Sequence, residues 1–234
     1  VMMFLIMAVV LIVRPYGLFG REESGQHTYV QKTYAPFKPL SGRLKLTGQG
    51  LLLFVLLMPL LVGDFQLVLS IEIAILALAS MSLYFLMGPG GMISFGQAVF
   101  FGGGAYDAAL LVHHLNAPME LALFFGPLLV GLLALIIGWF CVRLSGVYLA
   151  MLTLAFAQIC WSIVFQWSTF TCGDDGILSI WPSDWVSNRI IFYYLTMILC
   201  IGGILILRHL VFTPFGYTMR ACRDSALRVD SISM

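Results

Sequence analysis

Two carboxylates stand where a charge is expensive: Glu72 inside the apolar run Phe65–Met87, and Asp107 inside Met92–Leu115. An ionisable group within a membrane span is by default a candidate for binding a proton or a cation. The structural alternative is a neutral carboxyl, hydrogen-bonded to a neighbouring helix or set near the interface. Neither run contains a Lys or Arg, so a charge-paired proton relay finds no partner. A third polar group is Thr153, Gln158 and Ser162 in Val147–Trp167. Gln158 and Ser162 are expected on one helical face, with Thr153 slightly off it. Such a stripe either touches a hydrophilic solute or joins helices.

Between these groups lies Met87–Tyr106, which carries seven glycines, Pro89, Ser94 and Gln97 between long apolar runs. Glycine and proline weaken a helix and free backbone polar groups. At membrane depth such backbone survives only when buried in protein or lining a watery cavity. One reading makes this stretch the inner wall of a bundle beside a translocation path, with Ser94, Gly96, Gln97 and Tyr106 along it and Thr153 and Gln158 opposite. In the other, the glycines let helices pack closely.

Other chemistries find little support. The cysteines Cys141, Cys160, Cys172, Cys200 and Cys222 are scattered singly, as small buried hydrophobes are. The acids of Cys172-Gly173-Asp174-Asp175-Gly176 lack the other positions of a calcium loop, so a solvated turn is expected. His113-His114 reads as an interfacial pair at the end of a span. No phosphate-binding loop, nucleophile elbow, H-E-x-x-H or catalytic carboxylate pair occurs. The formal net charge of +1, with no basic stripe outside the loops, gives no support to a nucleic-acid partner.

The elements that must position these residues follow from composition. Hydrophobic residues make up 61% of the 234 and charged ones 10%, against roughly 45–50% and 25% in soluble domains. The fold class is therefore an all-α, polytopic transmembrane helical bundle. Val1–Val13 is apolar but shorter than the roughly 20 residues a crossing needs, and Arg14-Pro15-Tyr16-Gly17 stops it. It reads as the inner end of a helix whose beginning is missing. A polar stretch from Arg21 follows, expected as an exposed linker with little fixed structure. Six spans are then expected: Leu51–Val62 extended back through Gly48, Phe65–Met87, Met92–Leu115, Met119–Cys141, Val147–Trp167 and Ile190–Leu207. With Arg14 and the linker inside, alternate crossing places every one of the twelve Lys and Arg residues inside except Arg189, as the positive-inside rule requires. The segment from Pro214 to Asp230 is expected as an amphipathic cytoplasmic helix with Met219, Cys222, Ala226 and Val229 along one side. It would lie on the membrane or dock into a partner's groove.

Three stretches resemble the membrane subunits of bacterial branched-chain amino-acid ABC importers of the LivH/LivM type. They are Gly88–Tyr106 with its Gly-Met-Ile-Ser-Phe-Gly-Gln core, Ser145–Gln158, and Thr213-Pro214-Phe215-Gly216 through Arg220-Ala221-Cys222-Arg223-Asp224-Ser225-Ala226. The opening Arg14–Gly20 resembles the tail on which such subunits end. The resemblance implies a fragment of a fused permease: 1–20 closing one half, 21–48 a cytoplasmic linker, and 49–234 the first two-thirds of a LivM-like half. It implies a multi-pass protein of the bacterial inner membrane. It also implies an importer whose ATP is used by separate ATP-binding cassette subunits, with a periplasmic binding protein, the other permease half and membrane lipid as partners. No cofactor or metal is expected on this chain. Gly216, Arg220, Ala221, Arg223 and Asp224 fall where the family couples to its ATPase. Cys172-Gly173-Asp174-Asp175-Gly176 departs from a Thr-Gly-Gly-Ser-Asp-Gly loop, Asp107 replaces a small polar residue, and Ser233 stands where glycine is usual. The cargo implied is a branched-chain or related small amino acid or amide. The rival expectations are a passive channel or ion-coupled carrier for a small polar solute such as urea, and a membrane enzyme or assembly scaffold.

Overall fold

The computed structural model describes residues 2–14, 42–115, 117–142, 144, 146–173, 176–177, 180, 183 and 186–224. Among these, nine helices and no strand occur: α1 Met2–Val13, α2 Gly42–Leu61, α3 Asp64–Met87, α4 Gln97–Leu115, α5 Met119–Cys141, α6 Gly146–Gln166, α7 Ser168–Thr171, α8 Arg189–Val211 and α9 Pro214–Asp224. Four of them, α3, α5, α6 and α8, are long and apolar enough to cross a membrane. α2 and α4, of 20 and 19 residues, occupy the positions of the other two expected spans without joining those four. α2 begins at Gly42, further back than its apolar run, so the last residues of the expected linker are helical. The rest of that linker, Arg21 to Ser41, lies outside the described residues, as do Arg143, Asp174, Asp175 and everything after Asp224.

The chain divides into two compact units, one drawn from Val1–Arg21 and Leu83–Asp184, the other from Glu22–Ser82 and Trp185–Met234. In the first, α5 shows how these helices pack. Ala122, Gly126, Val130, Ile137 and Cys141, mostly small and spaced by four or seven, are buried. Phe124, Leu128, Leu132, Leu135 and Trp139 are exposed. Small residues inward and large apolar ones outward is the pattern of a helix whose solvent is lipid. α4 lies against this small-residue face. A Cβ on Gly126 would come within 3.3 Å of the Gly104 carbonyl oxygen, and one on Gly103 within 3.4 Å of Val130. α1 packs along α6 in the same unit, where Ala8 and Leu11 share a core with Ile137, Cys141, Leu149, Leu152 and Ala155.

In the second unit Pro59 sits inside α2. A proline has no N–H for the carbonyl four residues back, which here is Val55. The Tyr193 hydroxyl of α8 donates to that carbonyl at 2.6 Å, and Tyr194 donates to the next one, Leu56, at 3.2 Å. Tyr193 of α8 thus supplies the donor that the proline removed, as backbone in hydrocarbon requires. Farther along α8, a Cβ on Gly203 would meet Leu78 of α3 at 2.8 Å, so this glycine admits the leucine. At the start of the same two helices Arg189 pairs with Asp64 at 2.7 Å. The pair is exposed and contributes at most about 1 kcal/mol, but it puts the N-termini of α3 and α8 at one end. That is the relation alternate crossing requires, and it gives Arg189, the single base expected outside, an acidic partner.

Candidate functional site

α3 ends where the glycines begin. The Gly91 N–H donates to the Met87 carbonyl at 3.1 Å with Gly91 at φ +64°, a left-handed cap that glycine adopts without strain. From Gly91 to Ser94 the backbone is neither helix nor turn, and α4 does not start until Gln97. The span expected from Met92 therefore begins five residues later, and the break is longer than the Gly88–Gly91 turn. Side chains satisfy two N–H groups at its end. The Phe95 N–H donates to Thr153 Oγ1 of α6 at 3.1 Å, and Thr153 Oγ1 donates in turn to the Ala150 carbonyl at 2.9 Å. The Gly96 N–H donates to Ser94 Oγ at 3.3 Å. Ser94, Gly96 and Thr153 are all buried. The glycine-rich stretch thus has two structurally distinct parts. Gly88–Gly96 is unwound and pinned to α6, whereas Gly103 and Gly104 are helical and pack on α5.

Beside Gly96 is a cavity of about 10 Å³, lined by Gly96, Val99, Phe100, Ile137, Thr153, Phe156 and Ala157. That is about the room of one water molecule, far too little for an amino acid. Sequence reasoning named Gly96 and Thr153 but missed the apolar residues around them. The signal was available, because Gly96, Val99 and Phe100, and likewise Thr153, Phe156 and Ala157, follow the i, i+3, i+4 spacing of one helix face.

The remaining candidates separate. Gln97 begins α4 and is half-buried, and Tyr106 lies nine residues on, also half-buried. Gln158 is half-buried and Ser162 buried. Gln158 does not share a side of α6 with Thr153, which was expected only slightly off the face of Gln158 and Ser162. Five residues of helix turn through about 140°, so only Thr153 of the pair can address the break. Asp107 is half-buried on α4, Glu72 is exposed on α3, and neither forms an ion pair among the described residues. No group of three metal-ligating side chains converges among them either. Cys141 and Cys200 are buried, and Cys160 and Cys172 partly so.

At the other candidate site, α8 turns sharply into α9. The Thr213 hydroxyl donates to the Leu210 carbonyl at 2.7 Å, and Pro214 opens the new helix, where a missing N–H costs nothing. Gly216 is buried in the turn, and a Cβ there would collide with the carbonyl oxygens of Leu210 and Val211. Its role is to let α9 leave α8 at close quarters. Arg220 is half-buried, and Ala221, Cys222 and Arg223 are exposed. Phe215, Met219 and Cys222 recur at helical spacing, and Phe215 is 58% exposed. Ala226 and Val229, expected on that side, lie outside the described residues.

The family described as branched-chain amino acid transport system / permease component matches residues 67–232, a range that contains both sites. The chain is 24% identical over 221 residues to the high-affinity branched-chain amino acid transport system permease protein LivM of Salmonella typhimurium LT2, covering 81% of this chain and 51% of that protein. It is 25% identical over 185 residues to the LivM protein of Escherichia coli K12, covering 66% and 43%. The chain thus spans about half the length of the curated relatives it matches. No solved structure gives a significant match.

Proposed function

Because the chain belongs to the branched-chain amino acid permease family, we propose that it forms part of the membrane pathway of an ATP-driven importer for branched-chain or related small amino acids. The observation that carries the reading is the unwound stretch Gly88–Gly96, held to α6 through the Thr153 hydroxyl within an otherwise apolar, multi-pass bundle. Within a membrane, non-helical backbone is tolerated where it is buried in protein or lines a water-filled cavity. The small cavity at Gly96 is the closed form of that path, and opening it means withdrawing Phe95 from Thr153. Polar side chains at the break, Ser94 and Gln97, would replace part of the cargo's hydration.

The chain binds no nucleotide in this reading. ATP is used by separate ATP-binding subunits of the inner-membrane complex, and a periplasmic binding protein delivers the cargo. Val1–Gly20 would close a first permease half joined through 21–48 to a second. α9 is the coupling element: its exposed Phe215 and Cys222 and its bases Arg220 and Arg223 offer an apolar side flanked by charge, the form of a helix seated in a partner's groove. The test is leucine uptake and ATP hydrolysis by the reconstituted complex carrying Arg220→Glu or Arg223→Glu. Hydrolysis that continues while uptake falls at least tenfold, with normal membrane insertion, is the expected result. Uptake that persists without ATP and is abolished by Asp107→Asn or Glu72→Gln would instead identify an ion-coupled carrier.

A further inference from the structure

His113 and His114 end α4, and neither takes part in the pathway described above. Both are exposed, and their Nδ1 atoms lie 3.0 Å apart. The His114 Nε2 is 3.2 Å from the Phe170 carbonyl oxygen of α7. A carbonyl only accepts, so that Nε2 carries a proton and the neutral His114 ring leaves its Nδ1 lone pair facing His113. The Phe170 ring packs on the same imidazole, with centroids 4.9 Å apart, which restricts its rotation. One imidazole is therefore fixed in tautomer and orientation by a carbonyl behind it, the arrangement that commonly supports a metal-ligating histidine.

We propose that His113 Nδ1 and His114 Nδ1 chelate one divalent transition-metal ion of the Zn²⁺ type at this end of α4. With Zn–N bonds of about 2.05 Å, nitrogens 3.0 Å apart subtend about 94°, and a widening of about 0.3 Å makes the angle tetrahedral. Imidazole is a preferred ligand of such ions, whereas Mg²⁺ and Ca²⁺ favour oxygen. No third protein ligand converges here among the described residues, so water completes the shell. The proton that His113 Nδ1 shares with His114 moves to the exposed ring's own Nε2, and no other group changes protonation. Bound metal holds His114 in the tautomer that donates to Phe170 and so reinforces the α4–α7 contact.

The test is equilibrium binding of Zn²⁺ to the purified chain in detergent, with excess Mg²⁺ and Ca²⁺ present. The expected result is a saturable site whose affinity falls at least tenfold in His113→Gln and in His114→Gln, and is unchanged in His209→Gln. Circular dichroism of each variant checks that the helices remain. No saturable Zn²⁺ binding, or unchanged affinity in either variant of the pair, overturns the proposal. The outcome does not depend on whether the chain transports amino acids.

Discussion

Thr153 holds the unwound backbone through one hydroxyl that accepts from Phe95 and donates to Ala150. Valine has nearly the same shape and neither capacity, so Thr153→Val leaves the Phe95 N–H unsatisfied. An unpaired buried donor costs about 1–3 kcal/mol, and this partly buried one is expected at the lower end. Thermal unfolding in detergent should register that loss for Thr153→Val, while Thr153→Ser, which keeps the hydroxyl, stays close to the parent. Equal stability of the two variants would mean that the bond does not hold the break. The carboxylates carry the opposite expectation. Glu72 is exposed and Asp107 half-buried, with no ion pair at either among the described residues. ATP-dependent uptake should therefore survive Glu72→Gln and Asp107→Asn within about twofold, a change of about 0.4 kcal/mol. A loss of tenfold or more in either variant would give that group a place in the mechanism.

At the scale of elements, Pro59 and the two tyrosines make a separable unit. If Tyr193 serves the carbonyl that Pro59 leaves unbonded, Tyr193→Phe destabilises the protein by about 0.6–1.7 kcal/mol, from the average to the largest hydrogen bond measured between membrane helices. In a Pro59→Ala background the residue-59 N–H returns, and the same substitution should cost much less. A double-mutant cycle with no coupling would refute the link. Element identity was largely legible in the sequence: α3, α5, α6 and α8 start and stop within a few residues of their apolar runs, because in lipid the apolar run is the helix. The tertiary partners were not. Pro59 announces that a donor is missing, but nothing in the sequence says that Tyr193, on a distant helix, provides it. The site was half legible for the same reason. Glycines marked where the helix breaks, yet the pairing of Phe95 with Thr153 is a contact across 58 residues. Thr153, expected only slightly off the face of Gln158 and Ser162, lies about 140° from Gln158 around α6, an offset that counting helical turns gives.

At the scale of the molecule, the proposed pathway requires a break at Gly88–Gly96 that opens to a solute from a form holding a cavity of only about 10 Å³. Ser94, buried beside Gly96, is the position from which to observe it. In a background with the five native cysteines replaced, Ser94→Cys alters the side chain little and adds a thiol at the break. The decisive measurement is its labelling by a small, membrane-impermeant thiol reagent in the reconstituted complex, at rest and during ATP-driven uptake. The account predicts slow labelling at rest, labelling at least tenfold faster during turnover, protection by excess leucine, and loss of uptake once the thiol is modified. A complex that transports normally while this thiol stays unreactive in every state would contradict it.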